Sequence, residues 1–350
     1  MLSNTDVAEL LAQQAETETG IRVRAFRRAA RSAFLWPDEV SDLIAQNRSL
    51  TELRAVGPFI EKQIRQWIEK PQPSKTVPAI RQDFLSLADA RRLLATQPDW
   101  SRKLRGDLQM HTDWSDGSGT VAEMADAAAN RSYEYIGITD HSKTLKIAGG
   151  IDEEALKRQG VEIAELNAAR SKSAPHTTVL HSTEMNLNPR GEGDMSPDSL
   201  RSLDIVLGSF HSALRKTEDQ TERYLAALRN PHVHILGHPR GRIYNFRIGL
   251  KADWPRVFAE AARLDKALET DCYPDRQDLN VALLKMARDH GTRISLGTDA
   301  HHPWQLEFID LGLAAALRAK IPTDRILNFM PILELRAWAQ RLRNRTMSKR

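Results

Sequence analysis

The pattern of apolar residues changes at about residue 105. Before this point, apolar residues recur at the three- and four-residue spacing of amphipathic helices, for example at Val23, Phe26, Ala30 and Phe34. Another such pattern runs over residues 50–69, and the sequence PQPSKTVP at 71–78 has the proline content of a linker. The pattern therefore predicts a small all-α domain over residues 1–70, with a linker and connecting helices over 71–104.

From residue 105 onward, short β-rich runs alternate with helical patterns. The runs cover residues 107–111, 135–140, 177–184, 204–210, 233–237, 266–271 and 293–298. Seven alternations of this kind predict parallel strands joined by helices. No GxGxxG sequence follows the first run, which argues against a dinucleotide-binding fold. We therefore expect an α/β barrel of seven β/α units over residues 105–345.

Composition narrows the class of protein. Of the 350 residues, 41% are hydrophobic and 27% are charged, as in ordinary globular domains. No apolar stretch approaches the roughly 18–20 residues of a membrane span, and the first residues lack the pattern of a secretory signal. The single cysteine, Cys272, excludes an internal disulfide framework and favours a reducing compartment. We expect a cytoplasmic protein that does not associate with membranes.

Positive charge is concentrated near the amino-terminal end. The net charge is only +4, but five arginines fall within ten residues that contain no acid. These arginines are Arg22, Arg24, Arg27, Arg28 and Arg31. Such a cluster suits contacts with the phosphates of DNA, although a solvated helix face would have the same composition.

Histidines and acids occur at the ends of the predicted strands. Six of the seven runs end in a histidine or acid that is a candidate ligand. In a β/α barrel the carboxyl ends of the strands form one face, and active sites lie there. Imidazoles and carboxylates are ligands of zinc, manganese and iron. The sequence therefore predicts a metal site on this face, near His111, Asp140, His141, Glu184, His211, His238, Asp299 and His301.

The same motifs resemble, in order and spacing, those of the PHP (polymerase and histidinol phosphatase) superfamily. They read DLQMHTDWSDG, GITDHS, STEMN, GSFHS, GHPRGR and GTDAH, and the resemblance covers about residues 105–340. It implies a distorted seven-fold β/α barrel that holds up to three metal ions, often zinc or manganese. We therefore expect two to three divalent ions, Mn²⁺, Zn²⁺ or both.

The resemblance also divides the ligands among three ions, with one carboxylate shared between the first two. The groups are Gln109, His111, Glu184 and Asp299 for the first ion; Glu184, His211 and His238 for the second; and Asp116, His141 and His301 for the third. Glu184 would bridge two ions because a carboxylate has two oxygens.

Gln109 is a departure from the PHP motifs. The opening motif is usually His-x-His, but here it is Gln109-Met110-His111. An amide oxygen can bind a hard ion but is a poorer zinc ligand than imidazole, so the substitution favours manganese at the first site. A glutamine also occurs at this position in PHP domains attached to bacterial family X DNA polymerases, so it does not indicate loss of activity.

The amino-terminal region resembles the small helical domain that opens family X DNA polymerases. Within it, LRAVGPFIEKQI resembles a helix-hairpin-helix, whose turn at Val56 and Gly57 would offer backbone N–H groups to a phosphate. Some relatives use a lysine on the following helix to attack abasic sugars. The matching residue here is Gln63, so we expect no lyase activity. The alternative is a helical domain that serves only for packing.

Two arginines and one aspartate complete the expected catalytic set. Arg242 and Arg276 follow strand ends and are candidate clamps for a phosphate group. Asp140 would either orient His141 or lie near the third ion. Two or three divalent ions a few ångströms apart suit hydrolysis of phosphate esters by a metal-bound hydroxide.

Three functions are compatible with these features. The first is a phosphoesterase acting on DNA ends, as a 3′–5′ exonuclease, a 3′-phosphatase or an abasic-site nuclease, and the amino-terminal domain favours it. The second is a phosphatase for a small metabolite, of the histidinol-phosphatase type. The third is a DNA-binding module without catalytic activity, which only Gln109 supports. The roughly 35 residues between the hairpin and the barrel are too few for a polymerase core.

Overall fold

The computed structural model describes residues 2–70, 76–171 and 176–347 of the chain. Residues 71–75, which are most of the expected linker, lie outside the described residues. The part before them is helical. Its helices are α1 (Asn4–Thr17), α2 (Gly20–Ser32), α3 (Val40–Ala45) and α4 (Pro58–Glu69), and the connecting helices are α5 (Leu87–Ala95) and α6 (Pro98–Lys103).

Local sequence signals fix the ends of these helices. Ser3 caps α1 and forms a reciprocal capping box with Asp6. Pro58 occupies the first turn of α4, where a backbone N–H would have no helical partner. The apolar faces of α1 and α2 pack together and bury Leu11 and Phe26 completely. The polar face of α2, which carries the arginines, is left in solvent.

The rest of the described chain forms a barrel of alternating strands and helices. Its strands are β1 (Gly106–Met110), β2 (Tyr135–Ile138), β3 (Thr178–Asn186), β4 (Ile205–Ser209), β5 (Ile235–Leu236), β6 (Ala267–Asp271) and β7 (Arg293–Gly297). The helices are α7 (Val121–Asn130), α8 (Glu153–Arg170), α9 (Pro197–Arg201), α10 (Thr221–Arg229), α11 (Trp254–Leu264), α12 (Val281–Asp289), α13 (Ile309–Ala319) and α14 (Ile332–Met347). Each strand pairs in parallel with the next one in chain order. The predicted distorted seven-stranded β/α barrel is confirmed.

Side chains complete the barrel between β1 and β7. The hydroxyl of Thr298, directly after β7, donates to the buried carboxylate of Asp107 on β1 at 2.5 Å. The Asn328 amide donates to the carbonyls of Gly106 on β1 at 2.9 Å and of Leu296 on β7 at 2.8 Å. Buried backbone groups that lack a strand partner are thus satisfied by side chains, and the strand ends are held on one face.

The helical part packs directly on the barrel. Phe34, Phe84 and Tyr244 form a cluster of aromatic rings with centroids 4.8–5.6 Å apart. Tyr244 belongs to the loop between β5 and α11, so this cluster joins the two parts. Arg81, in the connecting segment, forms a buried ion pair with Glu9 of α1 at 2.8 Å. The division into domains at residues 70 and 105 stays a prediction, since the helices and the barrel share one hydrophobic cluster.

Candidate metal centre

The expected ligands converge on one face of the barrel. Each of them lies at, or shortly after, the carboxyl end of a strand: Gln109, His111 and Asp116 at β1, His141 at β2, Glu184 on β3, His211 at β4, His238 at β5, and Asp299 and His301 at β7. Parallel strands in chain order place all these ends on the same side. The strand-end pattern in the sequence therefore translates into one cluster of polar side chains.

Glu184 lies at the centre of the cluster. Its Oε1 atom is 2.6 Å from His238 Nε2 and 3.3 Å from His211 Nε2. Its Oε2 atom is 2.9 Å from His141 Nδ1 and 3.5 Å from His111 Nε2. The side chain is completely buried, so each carboxylate oxygen faces two imidazoles and no solvent.

A second carboxylate, Asp116, gathers three of the imidazoles at the outer edge of the cluster. Its Oδ1 atom is 3.4 Å from His301 Nε2, 3.6 Å from His141 Nε2 and 4.0 Å from His111 Nδ1. The rings of His111 and His141 stack with centroids 4.3 Å apart. These two histidines therefore lie between the Glu184 and Asp116 carboxylates.

Hydrogen bonds orient two of the rings from the nitrogen that faces away from the cluster. His301 Nδ1 lies 2.7 Å from the backbone carbonyl of Asp299, which turns its Nε2 toward Asp116. His211 Nδ1 lies 3.1 Å from the Asn186 side-chain oxygen, which leaves its Nε2 facing inward. Protein metal sites commonly fix ligating histidines in this way.

Several buried polar atoms of the cluster have no hydrogen-bond partner within the described part of the chain. His141 Nδ1 and Glu184 Oε2 lie 2.9 Å apart, yet their alignment does not form a hydrogen bond. His111 Nδ1 is likewise buried without a partner. Buried polar atoms are nearly always paired, so close but misaligned atoms are expected where ligands share a cation. The donor set therefore fits divalent ions.

Two groups in the cluster have the spacing of a metal site. One consists of His111, Asp116, His141 and His301, and the other of His141, Glu184 and His211; in each, the donor atoms lie within 4.8 Å of one another. The first group contains every residue expected at the third ion. The second contains two of the three expected at the second ion. The assignment of single residues to single ions stays a prediction.

The charges of the cluster suit cation binding. Burial raises the pKa of Glu184, but the neighbouring imidazoles outweigh this effect and hold it well below its usual range. Burial lowers the pKa of His238, yet the adjacent Glu184 carboxylate raises it to about 10. His301 behaves similarly, because Asp116 raises its pKa to about 9 against the effect of burial. Without metal these histidines carry protons at neutral pH, and ion binding must release them.

Comparisons with solved structures give a limited likeness. A histidinol phosphate phosphatase (HISK) from Lactococcus lactis, complexed with zinc, L-histidinol and phosphate, is 18% identical with a TM-score of 0.47. The similarity covers 63% of this chain and 95% of that one. No family model matches the chain.

Comparisons with curated sequences are more specific. The chain is 36% identical over 240 residues to a DNA polymerase/3′–5′ exonuclease PolX of Bacillus subtilis (strain 168). It is also 26% identical over 238 residues to a probable phosphatase of Thermoanaerobacter sp. (strain X514). Both matches support the assignment of the barrel to the PHP superfamily. The first match covers 68% of this chain and 41% of the PolX protein, whereas the second covers 65% and 91%.

Gln109 contacts Glu269, a residue of the barrel that is not among the predicted site residues. Its amide nitrogen lies 2.6 and 2.8 Å from the two oxygens of Glu269 on β6 when the amide is oriented to donate. Glu269 also accepts the backbone N–H of His238 at 2.8 Å. The strand sequence ALETD, with two acids at the end of β6, is the signal that could have revealed this contact. Gln109 thus ties β1 to β6, and its role as an ion ligand stays a prediction.

The two acids of β6 have raised pKa values. Burial raises the pKa of Glu269 well above its usual range, and the adjacent Asp271 raises it further. Burial also raises the pKa of Asp271, with Asp299 as the next cause. The pKa of Asp299 itself is held low against the effect of burial, mainly by Arg276. Glu184, Asp299 and Asp116, by contrast, are the acids of the site whose pKa values are lowered.

Asp140 stabilises a loop, which corrects one of the two roles expected for it. Its carboxylate accepts hydrogen bonds from the Thr112 backbone N–H at 2.8 Å, the Thr112 hydroxyl at 2.6 Å and the Gln159 amide at 2.6 Å. The Ser115 hydroxyl donates to it as well. None of its hydrogen bonds in the described structure reaches an imidazole. Asp140 therefore holds the segment that leads to Asp116, rather than orienting His141.

Arg242 does not reach the metal centre, which corrects the expectation of a phosphate clamp. Its guanidinium lies 3.9 Å from the Phe84 ring centroid and is buried. Its N–H groups donate to the backbone carbonyls of Gln82, Asp83, Arg276 and Gln277. Burial lowers its pKa to about 9. Arg242 therefore joins the connecting segment to the barrel.

Arg276 remains placed to contact a phosphate. Its Nε atom is 3.5 Å from Asp299 Oδ2 and 3.6 Å from Asp271 Oδ2. Its side chain is 32% exposed, so the guanidinium borders the ligand cluster and still reaches solvent. A substrate phosphate at the cluster would lie within range of its N–H groups.

The expected DNA contacts lie on the helical part. The five arginines are exposed on α2. The side chain of Val56 is buried, so only its backbone could reach a phosphate. Ala55 has a φ of 62°, the left-handed conformation that glycine adopts most readily, and Gly57 precedes α4 with open space where a Cβ would lie. A tight turn therefore precedes α4, and both its identity as a helix-hairpin-helix and its contact with DNA stay predictions.

The central carboxylate should matter more for metal than Gln109 does. Glu184→Gln keeps the shape of the side chain but removes the charge between two pairs of imidazoles, so we expect it to lose most of its bound ions. Gln109→Ala, which removes a residue held by Glu269, should keep most of them. Elemental analysis of the purified, folded variants measures this. Full metal retention in Glu184→Gln would contradict the central position of this residue.

Loss of Arg276 and loss of Arg242 should have different effects on the protein. Arg276→Ala should lower turnover of a chromogenic phosphate ester about 100-fold with little change in melting temperature, since it removes a charged donor beside the site. Arg242→Ala should lower the free energy of unfolding by about 2–4 kcal/mol, because it leaves buried carbonyls unpaired. Thermal denaturation and steady-state kinetics on both variants distinguish them. The reverse pattern would restore Arg242 as the clamp.

Proposed function

We propose that this chain is a metal-dependent phosphoesterase that acts on the ends of DNA. The observation that carries the proposal is Glu184, a buried and ionised carboxylate with two imidazoles at each oxygen, at the open end of a PHP barrel. Relatives of nearly barrel length are named probable phosphatases, which supports cleavage of phosphate esters. Two to three ions, Mn²⁺ or Zn²⁺, suit this donor set.

Divalent ions held here would supply a hydroxide at neutral pH and would offset the charge on the phosphoryl oxygens. The residues of the chain position the substrate and the ligand side chains around these ions. Arg276 donates to the phosphate from the rim, while Asp271 and Asp299 hold its Nε side. Asp140 keeps the loop before Asp116 in place through four hydrogen bonds. Hydrogen bonds already orient imidazoles of the site, so these side chains need little reorganisation when the substrate binds.

DNA is the proposed substrate for two reasons. The PolX relative is named as a 3′–5′ exonuclease. In this chain, a helical segment with exposed arginines packs beside the barrel. Cleavage at a 3′ end, as exonuclease or 3′-phosphatase, is therefore proposed ahead of cleavage at abasic sites. The resemblance of residues 1–70 to the opening domain of family X polymerases supports the same substrate.

A small phosphorylated metabolite is the second candidate substrate. One observation favours it: the match to the probable phosphatase covers 91% of that protein, so a barrel of this kind occurs without the helical segment. A binding module without activity is not proposed, because the set of imidazoles and carboxylates at the strand ends is nearly complete. A cytoplasmic location stays a prediction; within the described residues, no helix combines the length and apolarity needed to cross a membrane.

The assay that separates these candidates uses two substrates. The protein loaded with Mn²⁺ is incubated with DNA labelled at its 5′ end, with either a 3′-hydroxyl or a 3′-phosphate, and separately with histidinol phosphate. We expect shortening or dephosphorylation of the DNA and slow turnover of histidinol phosphate. His141→Ala should reduce the DNA reaction by orders of magnitude, which excludes a contaminating nuclease. Fast turnover of histidinol phosphate with intact DNA would favour the metabolite phosphatase.

A further inference from the structure

The arginines of α2 do not form one uniform patch. Arg24, Arg27, Arg28 and Arg31 are spaced so that they share one side of the helix. None of these four forms an ion pair with an acid of the described chain. Arg22 differs, because it pairs with Glu18 at 3.7 Å and lies over the Phe59 ring. Four like charges held together without counter-charges favour an anionic ligand on this side of α2.

This side of α2 forms one wall of a groove between the helical part and the barrel. The groove has a volume of about 460 Å³ and is open to solvent on one side. The opposite wall is the barrel loop Tyr273, Pro274 and Asp275, and Arg54 from the hairpin turn contributes to the lining. Five arginines against a single acid, Asp275, leave the groove strongly positive.

Two residues of the groove lining contact residues that lie beside the metal centre. The Arg276 guanidinium lies 5.3 Å from the centroid of the Tyr273 ring and borders the ligand Asp299. Arg54 lies 4.9 Å from the centroid of the Trp304 ring, and Trp304 is three residues after His301. Both contacts connect the groove lining to residues beside the ligand cluster. An anion in the groove could therefore be part of the same molecule whose phosphate is cleaved.

The lining suits a single strand better than a duplex. The volume is in the range that encloses a ligand the size of a nucleotide, which is far smaller than one turn of a duplex. Trp304 is 40% exposed and is already stacked with Arg54. An unpaired base can extend such a stack, whereas a paired base cannot leave its helix without cost.

We propose that the groove between α2 and the 273–275 loop binds the single-stranded part of a DNA substrate and directs its end to the metal centre. Arg24, Arg27, Arg28 and Arg31 would contact the backbone phosphates over about 10 Å of helix. Trp304 and Arg54 would stack on a base near the scissile bond. The proposal rests on the function proposed above and adds the strand type and the residues that select it.

The test compares two arginines on the same helix. Arg28→Glu reverses a charge inside the groove, and Arg22→Glu reverses one outside it. Binding of a fluorescent twelve-nucleotide DNA strand, protected from cleavage by phosphorothioate linkages, is measured by anisotropy with the metal-loaded protein. We expect Arg28→Glu to weaken binding about tenfold or more and to make the slope of log affinity against log salt less negative by about 0.7. Arg22→Glu should change affinity less than threefold.

A duplex of the same sequence provides the second comparison. The wild-type protein should bind it at least about tenfold more weakly than the single strand. Equal binding of the two forms, or equal losses in the two variants, would overturn the proposal. Melting temperatures of both variants, whose substituted side chains are exposed, verify that the fold is intact.

The outcomes separate this proposal from the proposed function. If the wild-type protein cleaves DNA ends and Arg28→Glu binds the strand as the wild type does, the groove is not the binding site and the activity stands. If the strand binds as expected but no DNA is cleaved, the groove stands and the proposed function fails.

Discussion

A fully buried carboxylate, Glu184, is the group on which the site depends. An ionised carboxylate without solvent is costly unless positive charge surrounds it. Here four imidazoles face the carboxylate oxygens at 2.6–3.5 Å, each from a different strand end, and the pKa values of His141 and His238 are raised by this contact. The barrel is needed for this arrangement, since only parallel strands closed on themselves bring β1 to β5 around one point.

The same constraint explains the protonation of the site. The imidazoles hold Glu184 ionised, and Glu184 in turn raises the pKa of His238. Arg276 does the same for Asp299, while burial raises the pKa values of Glu269 and Asp271 on β6. Cations that bind here must displace the protons of histidines such as His238. Closure by Asp107 and Asn328 keeps the strand ends in register for this exchange.

Much of this site could be predicted from the sequence. Histidines and acids that follow short β-rich runs indicate a shared face, because the topology of a β/α barrel places all strand ends together. The contacts of Arg242 could not be predicted, since its carbonyl partners at Gln82 and Asp83 are about 160 residues away in the chain. The contacts of Glu269 could not be predicted for a similar reason, because its partners Gln109 and His238 lie at other strands. The sequence could not show that Arg22 lies apart from the other arginines of α2, because this depends on where the barrel loop lies.

We propose that Glu184 lies between two metal ions. Anomalous X-ray diffraction from crystals grown with Mn²⁺, recorded on both sides of the manganese edge, measures this most directly. We expect strong anomalous peaks within bonding distance of the Glu184 oxygens, on the side of His211 and His238 and on the side of His111. A further peak is expected among Asp116, His141 and His301. Crystals with manganese bound elsewhere and no peak beside Glu184 would show that this carboxylate is not a ligand.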